Sequence, residues 1–432
     1  MNASTNSSLQ NYKRTRLACY TAYFTMSSVF CVPPLLFVTF HGLYGISYTL
    51  LGTLVLINFF TQLSTDLVFT FFSKHFNVAK AVRIMPVATS VGLMIYALGA
   101  AFFPDSAYLW FVAGTVIFSV SAGLSEVLLS PIIAALPSDD AQKSMSFLHS
   151  LYAFGVVATV SVSTLFLKLF GTDRWMYLIA FLALLPLIAA VLFMISPVPP
   201  LNEGADGEKA ERRKGKAVGL ALCAACIFFG SCAENGMSNW ISSFMENALN
   251  IDKTVGDILG AAMFAVLLGA GRIAYSKFGK SINRVLFVGM LGSACCYLTA
   301  GLSRSPVPAF IACIFTGLFT AMLWPGTLIF MEKNITGAGV AAYAMMAAAG
   351  DLGASISPQL MGIVIDSFSA TGLAAKLSAS LGLTAEQLGL KAAMITNAVF
   401  PTAGVIVLIF IIKHFKKTAP RQNKEPHSGM RH

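Results

Sequence analysis

The segment EGADGEKAERRKGK, Glu203 to Lys216, is the only long charged run between apolar stretches on its side of the chain, and it falls near the middle of 432 residues. Outward from it in both directions the sequence is apolar in long runs. Hydrophobic residues make up 56% of the chain and charged residues 11%, with a mean hydropathy of +0.74; a soluble domain carries about 25% charged residues. A helix needs about 20 apolar residues to cross a hydrocarbon core of about 30 Å. Upstream of the charged segment such runs are predicted at 17–40, 47–73, 81–103, 107–136, 144–170 and 175–196; downstream, at 217–247, 254–277, 284–303, 307–332, 338–368 and 391–413. The reading is an all-α membrane protein with twelve transmembrane helices. Its N-terminal six-helix half is 1–196, its linker 197–216, and its C-terminal half with a basic tail 217–432. A soluble catalyst, a nucleic-acid binder and a disulfide scaffold are excluded.

Charge distribution orients the chain. Of its 29 Lys and Arg residues, all but Lys168, Arg174, Lys253, Arg304, Lys376 and Lys391 fall on the side that holds both termini. By the positive-inside rule that side is cytoplasmic, so a multi-pass protein of the cell membrane is predicted, and the net charge of +10 reports orientation rather than a nucleic-acid partner. The polar start and the length of the first apolar run argue against a cleavable signal peptide. All eight cysteines lie in apolar stretches; Cys223 and Cys226 have redox or metal-ligand spacing but no second pair or histidine nearby, and read as buried thiols. No cofactor or metal is implied.

The halves echo each other. Gly123-Leu124 before Pro131 matches Gly317-Leu318 before Pro325 with identical spacing. Ser73-Lys74 matches Ser276-Lys277, Leu50-Leu51-Gly52 matches Ile258-Leu259-Gly260, and Phe154-Gly155 matches Ala349-Gly350. Four pairs in one order point to two parallel six-helix repeats, a known transporter layout. The segment Gly271-Arg272-Ile273-Ala274-Tyr275-Ser276-Lys277-Phe278-Gly279-Lys280 resembles the cytoplasmic loop motif of the major facilitator superfamily, with Ser276 at the acidic position. Phe72 to Asn77 is a more degenerate copy, and Gly350-Asp351-Leu352-Gly353 with Pro358 resembles the Gly/Pro-rich helix 11. Within that superfamily Gly123-Leu124-Ser125-Glu126 with Ser130-Pro131, Leu148-His149 and Phe154-Gly155 resembles the fucose and glucose proton symporters. Ser130 replaces their Asn, and 17–40 lacks the acid that their first helix carries.

A charge at mid-bilayer is expensive, so polar residues inside spans are candidates for function. Span 2 carries Asn58, Gln62 and Asp66 on one face. Span 4 carries Thr115, Ser119, Glu126 and Ser130. Span 5 offers His149 and Tyr152, and span 7 aligns Ser231, Asn235, Asn239, Ser242 and Glu246, with Trp240 alongside. Trp324 and Asp351 lie in spans 10 and 11. A carboxyl sheltered from water holds a proton more readily, which makes Glu126 the first candidate proton carrier, with His149 as a relay or a structural histidine and Asp351 as a coupling or gating group. Asn58, Gln62, Tyr152, Asn235, Asn239, Trp240 and Trp324 are candidate solute contacts. Asp66, Arg272 and Lys277, nearer the cytoplasmic end, are candidate gate charges. Trp110 and Trp175 sit at span ends, where an aromatic belt is expected.

These residues carry no enzyme motif. The expected activity is secondary active transport of a small polar solute, a sugar or related metabolite, by alternating access with proton symport. A proton-coupled efflux antiporter for amphipathic compounds is the alternative, and a receptor that binds without translocating the third. The expected partners are a small-molecule substrate, protons and the lipid bilayer, with the chain acting as a monomer.

Overall fold

In bilayer every backbone polar group must be satisfied within its own segment, which leaves helices for a chain of this pattern. The computed structural model describes residues 2–72, 76–137, 141–199, 214–279, 281–335 and 340–418, and these are helical apart from short connections. Span 1 is Asn2–Leu35 with Phe37–Tyr44, span 2 Tyr48–Phe72, span 3 Val78–Phe102, span 4 Ala107–Ala135, span 5 Ala141–Phe170 and span 6 Trp175–Met194. Span 7 is Lys214–Ser243 continued by Phe244–Ala248, and span 8 runs through Lys253–Val255, Gly256–Ala262 and Met263–Phe278. Span 9 is Ile282–Leu302, span 10 Pro306–Thr320 with Leu323–Asn334, span 11 Val340–Ser369 and span 12 Ala385–Asn397 with Val399–Thr418. Among the described residues nine rods are each long and apolar enough to cross a bilayer. Span 1, and span 11 with the helix Gly372–Leu381, are bent pairs, and span 5 supplies the apolar stretch Phe154–Phe170.

The breaks follow from the sequence. Pro33 and Pro34 lack the N–H groups that would close turns onto Val29 and Phe30, and span 1 bends by 49° just beyond them. Span 12 starts at Ala385 rather than 391, because Thr384 and Gln387 form a reciprocal capping box. The connection read as the loop 369–390 contains the helix Gly372–Leu381, capped by Thr371. Trp175 is not part of an interfacial belt. The second segment of span 1 folds over the start of span 6 and buries its ring among Phe40, Tyr44 and Phe111.

Packing reproduces the repeat without reference to residue identity. In the first half spans 1·5, 1·6, 2·4, 3·4 and 3·6 pack together, and in the second spans 7·11, 7·12, 8·10, 9·10 and 9·12, each the counterpart six spans on. Between halves the main contacts are 2·11 and 5·8, again counterparts, with 1·7 on the axis. Close approach of spans 2 and 11 depends on glycine: a Cβ at Gly52 would stand 2.9 Å from Pro358 O, and one at Gly362 would overlap Tyr48 O.

The interface is one-sided. Call the end that carries the termini proximal and the other distal. The hydrogen bonds that cross between the halves among the described residues gather at the distal end. At the proximal end the first half has its own core, built on Ala18, Cys19, Leu128, Ile132, Leu148 and Phe193, to which no residue of the second half belongs among the described residues. Among the described residues, hydrogen bonding between the halves is therefore distal.

Candidate functional site

Two polar latches close the distal end. The first is a helix start held by the opposite half. Span 2 begins at Tyr48, and its first N–H groups have no partner within the helix. Asp366, in the last turn of span 11, accepts from Tyr48 N at 3.2 Å and from Thr49 N at 2.6 Å. Tyr48 Oη is in close contact with Glu386 Oε1, and Asn247 Nδ2 donates to both, at 2.9 and 2.7 Å. The second latch surrounds Asp257, a carboxylate only 1% exposed at the start of span 8. Thr164 of span 5 donates to it at 3.0 Å, Ser242 bonds its other oxygen, and Lys253 Nζ stands 3.4 Å away. Lys253 also pairs with Glu246 at 3.3 Å and donates to Leu35 O of span 1 at 2.8 Å. Asp257 lies in a π-helical stretch, a distortion common at functional positions.

Trp240 seals the interior below the first latch. Its ring is fully buried, packs against Phe37 and Tyr48, and donates Nε1–H to Pro358 O at 3.0 Å. Its polar atom is therefore occupied, and the ring forms part of the plug. Gln62 is similarly engaged: 2% exposed, it donates to Asn58 Oδ1 at 2.9 Å, and Ser119 Oγ bonds the same oxygen at 2.7 Å. These bonds tie span 2 to span 4.

Below the plug the helices part around Glu126. This carboxylate is exposed although it sits on an inner helix. Its charge interacts with Asp66 of span 2, Asp351 of span 11, and Tyr23 and Tyr152 of spans 1 and 5. An exposed group surrounded by four other spans faces a water-accessible space inside the bundle. Phe30 packs on Phe59 and Tyr152 along that wall, Tyr152 on Tyr23. Across it Trp324 lies over Gly350, where a Cβ would collide with the ring. Asn235 bonds Ser231 of its own helix at 3.2 Å, and Asn239 donates to Asn235 O at 2.9 Å. The His149 side chain lies outside the described residues.

The three expected gate charges separate. Arg272 braces a broken helix. Pro325 lacks the N–H that would reach Ala321 O, span 10 breaks there, and Arg272 Nε donates to that oxygen at 3.0 Å. Its guanidinium also pairs with Glu234 of span 7 at 3.4 Å. Asp66 Oδ1 is buried without a hydrogen-bond partner, against Gly123. Lys277 is exposed at the end of span 8. Sequence reading missed Asp257, Asp366 and Glu386. Lys253 and Asp257, four residues apart at a span start, were the available signal; Asp366 and Glu386 gave none, since each bonds Tyr48 from more than 300 residues away.

No curated protein sequence matches this chain. Solved structures do. A bacterial homologue of the human lysosomal transporter Spinster, in an inward-facing and unoccupied conformation, aligns over 94% of this chain and 97% of its own, with 14% identity and a TM-score of 0.70. A D-xylose-proton symporter aligns over 90% and 97%, with 17% identity and a TM-score of 0.73. The nucleoside transporter NupG, as a variant, aligns over 92% and 99%, with 14% identity and a TM-score of 0.68. At such identities the likeness is one of fold. The family model of the Major Facilitator Superfamily matches residues 18–358. Twelve spans in two mirrored halves, shared folds and a family match over most of its length together place this chain in the Major Facilitator Superfamily of membrane transporters.

Proposed function

We propose that the protein is a secondary active transporter in which the two halves rock about the central space, moving a small polar solute together with a proton that Glu126 carries. The observation that carries this reading is the position of Glu126: an exposed carboxyl on an inner helix, within electrostatic reach of Asp66 and Asp351 from two other helices. Like charges gathered in one space oppose each other's ionisation, so these carboxyls compete for protons. Proton uptake and release then depend on which end of the space is open to water. The two distal latches support the rocking step, since each bonds one half to the other and both must break to open that end.

Glu126→Gln tests the reading in proteoliposomes. Accumulation driven by a pH gradient is expected to be lost, while exchange of labelled for unlabelled solute across the membrane persists. Undiminished accumulation by the variant would retire Glu126 as the proton carrier.

A further inference from the structure

Beside the Trp240 plug lies a small recess of about 10 Å³, room for one water-sized group, lined by Phe30, Pro33, Asn58, Thr115, Phe118 and Asn239 among others. Spans 1, 2 and 4 form three of its walls, and Asn239 of span 7 comes from the other half. Its polar groups are left incomplete by their surroundings. Threonines in these helices commonly return their hydroxyl to the carbonyl four residues back, as Thr53, Thr65 and Thr89 do. Thr115 does not. It is 2% exposed and its Oγ1 has no hydrogen-bond partner. Gln62 and Ser119 both engage the carbonyl end of Asn58 and so fix the amide, which leaves its N–H2 as the group available to the recess that Asn58 lines. Asn239 uses its N–H2 on Asn235 O, which leaves its carbonyl oxygen for the recess.

A buried hydroxyl without a partner costs on the order of 1–3 kcal/mol, and such a group is retained where something else completes it. The recess thus presents a donor at Asn58, an acceptor at Asn239 and a group that is either at Thr115. That set complements a hydroxyl, which donates once and accepts. No charged side chain lines it, so a cation or an anion would be left uncompensated there. Phe30 and Phe118 form apolar parts of its wall. We propose that this recess is the subsite that receives a hydroxyl group of an uncharged, polyhydroxylated solute, held jointly by Asn58, Thr115 and Asn239. The assignment rests on the transport reading for its purpose and names that site's substrate class. Because one of the three groups belongs to the second half, occupation also bridges the halves.

Binding measured on the purified full-length protein in lipid nanodiscs tests it, with D-glucose, L-fucose, D-xylose and their deoxy analogues as probes and choline and citrate as charged controls. At least one sugar is expected to bind, and the isosteric Thr115→Val to raise its Kd roughly tenfold, the loss of about one buried hydrogen bond. Thr115→Ser should restore affinity. One deoxy analogue should bind wild type and Thr115→Val equally, which identifies the hydroxyl received. Binding of choline or citrate without any sugar, or no sugar binding at all, overturns the substrate class. A sugar Kd unmoved by Thr115→Val overturns the site and leaves the recess with solvent only. Failure of the proton-carrier reading would show separately, as Glu126→Gln accumulation, with binding at the recess intact.

Discussion

Replacing Asp366 by Ala should unlatch the distal end. In the closed form its carboxylate accepts two N–H groups at the start of span 2, at 3.2 and 2.6 Å, and places a negative charge at that helix's positive terminus. Once the halves separate distally, water can bond the same N–H groups, so only the difference counts. A capping side chain is worth about 0.5–2 kcal/mol and a charge near the terminus about 0.3–1 kcal/mol more. Asp366→Ala should then move the equilibrium toward the distally open form by about 2 kcal/mol, or roughly 30-fold in population. Asp366→Asn keeps an acceptor and loses the charge, and should fall between. Spin labels at Leu50 and Ile363, both exposed on spans 2 and 11 near this contact, report the separation in nanodiscs. A longer-distance population should grow in the order wild type, Asn, Ala. If Asp366→Ala is folded and its distance distribution matches wild type, the capping bonds do not hold the closed form and the latch argument fails.

Gly362→Val should act in the same direction by a different cause. Its side chain would overlap Tyr48 O, so spans 2 and 11 could not seat; the same label pair should show the open population, with transport abolished. Thr164→Val removes the bond from span 5 to the buried Asp257 and should weaken the second latch by about 1 kcal/mol, which accessibility of a thiol-reactive probe at the distal end would reveal. Arg272→Met leaves Ala321 O and Glu234 without their donor. The cost of about 1–3 kcal/mol should lower the unfolding temperature in detergent, with Arg272→Lys intermediate.

The architecture was legible because a membrane span announces itself: twenty apolar residues bounded by charge, duplicated across Glu203–Lys216. The positions of Glu126 and Asp351 in helices that line the centre followed from that framework. What the pattern could not give was who bonds whom. Asn58 and Gln62 share a face in the sequence, but only the approach of Ser119 shows that they are tied together rather than both free. Trp240 stands beside a polar stripe, and nothing there signals that Pro358 O takes up its indole N–H. The latch around Tyr48 joins residues separated by more than 300 positions, and no period records such a distance. Glu386 fell in a stretch read as loop, because its helix is marked by a capping box before its apolar run begins. Arg272 could have been placed from Pro325 alone, given that span 8 packs on span 10.

Spans 3, 6, 9 and 12 make their principal contacts within their own half, and the mirrored pattern leaves each group of six complete in itself. Mutational tolerance should therefore be uneven. Outer rods need only keep their local neighbours and can drift in sequence, while the small residues where spans 2 and 11 touch are bound by a partner from the other copy. The two counterpart contacts are also held by different chemistry, one by an aspartate at a helix start and the other by a buried acid with a lysine, so losing either latch should leave the other intact.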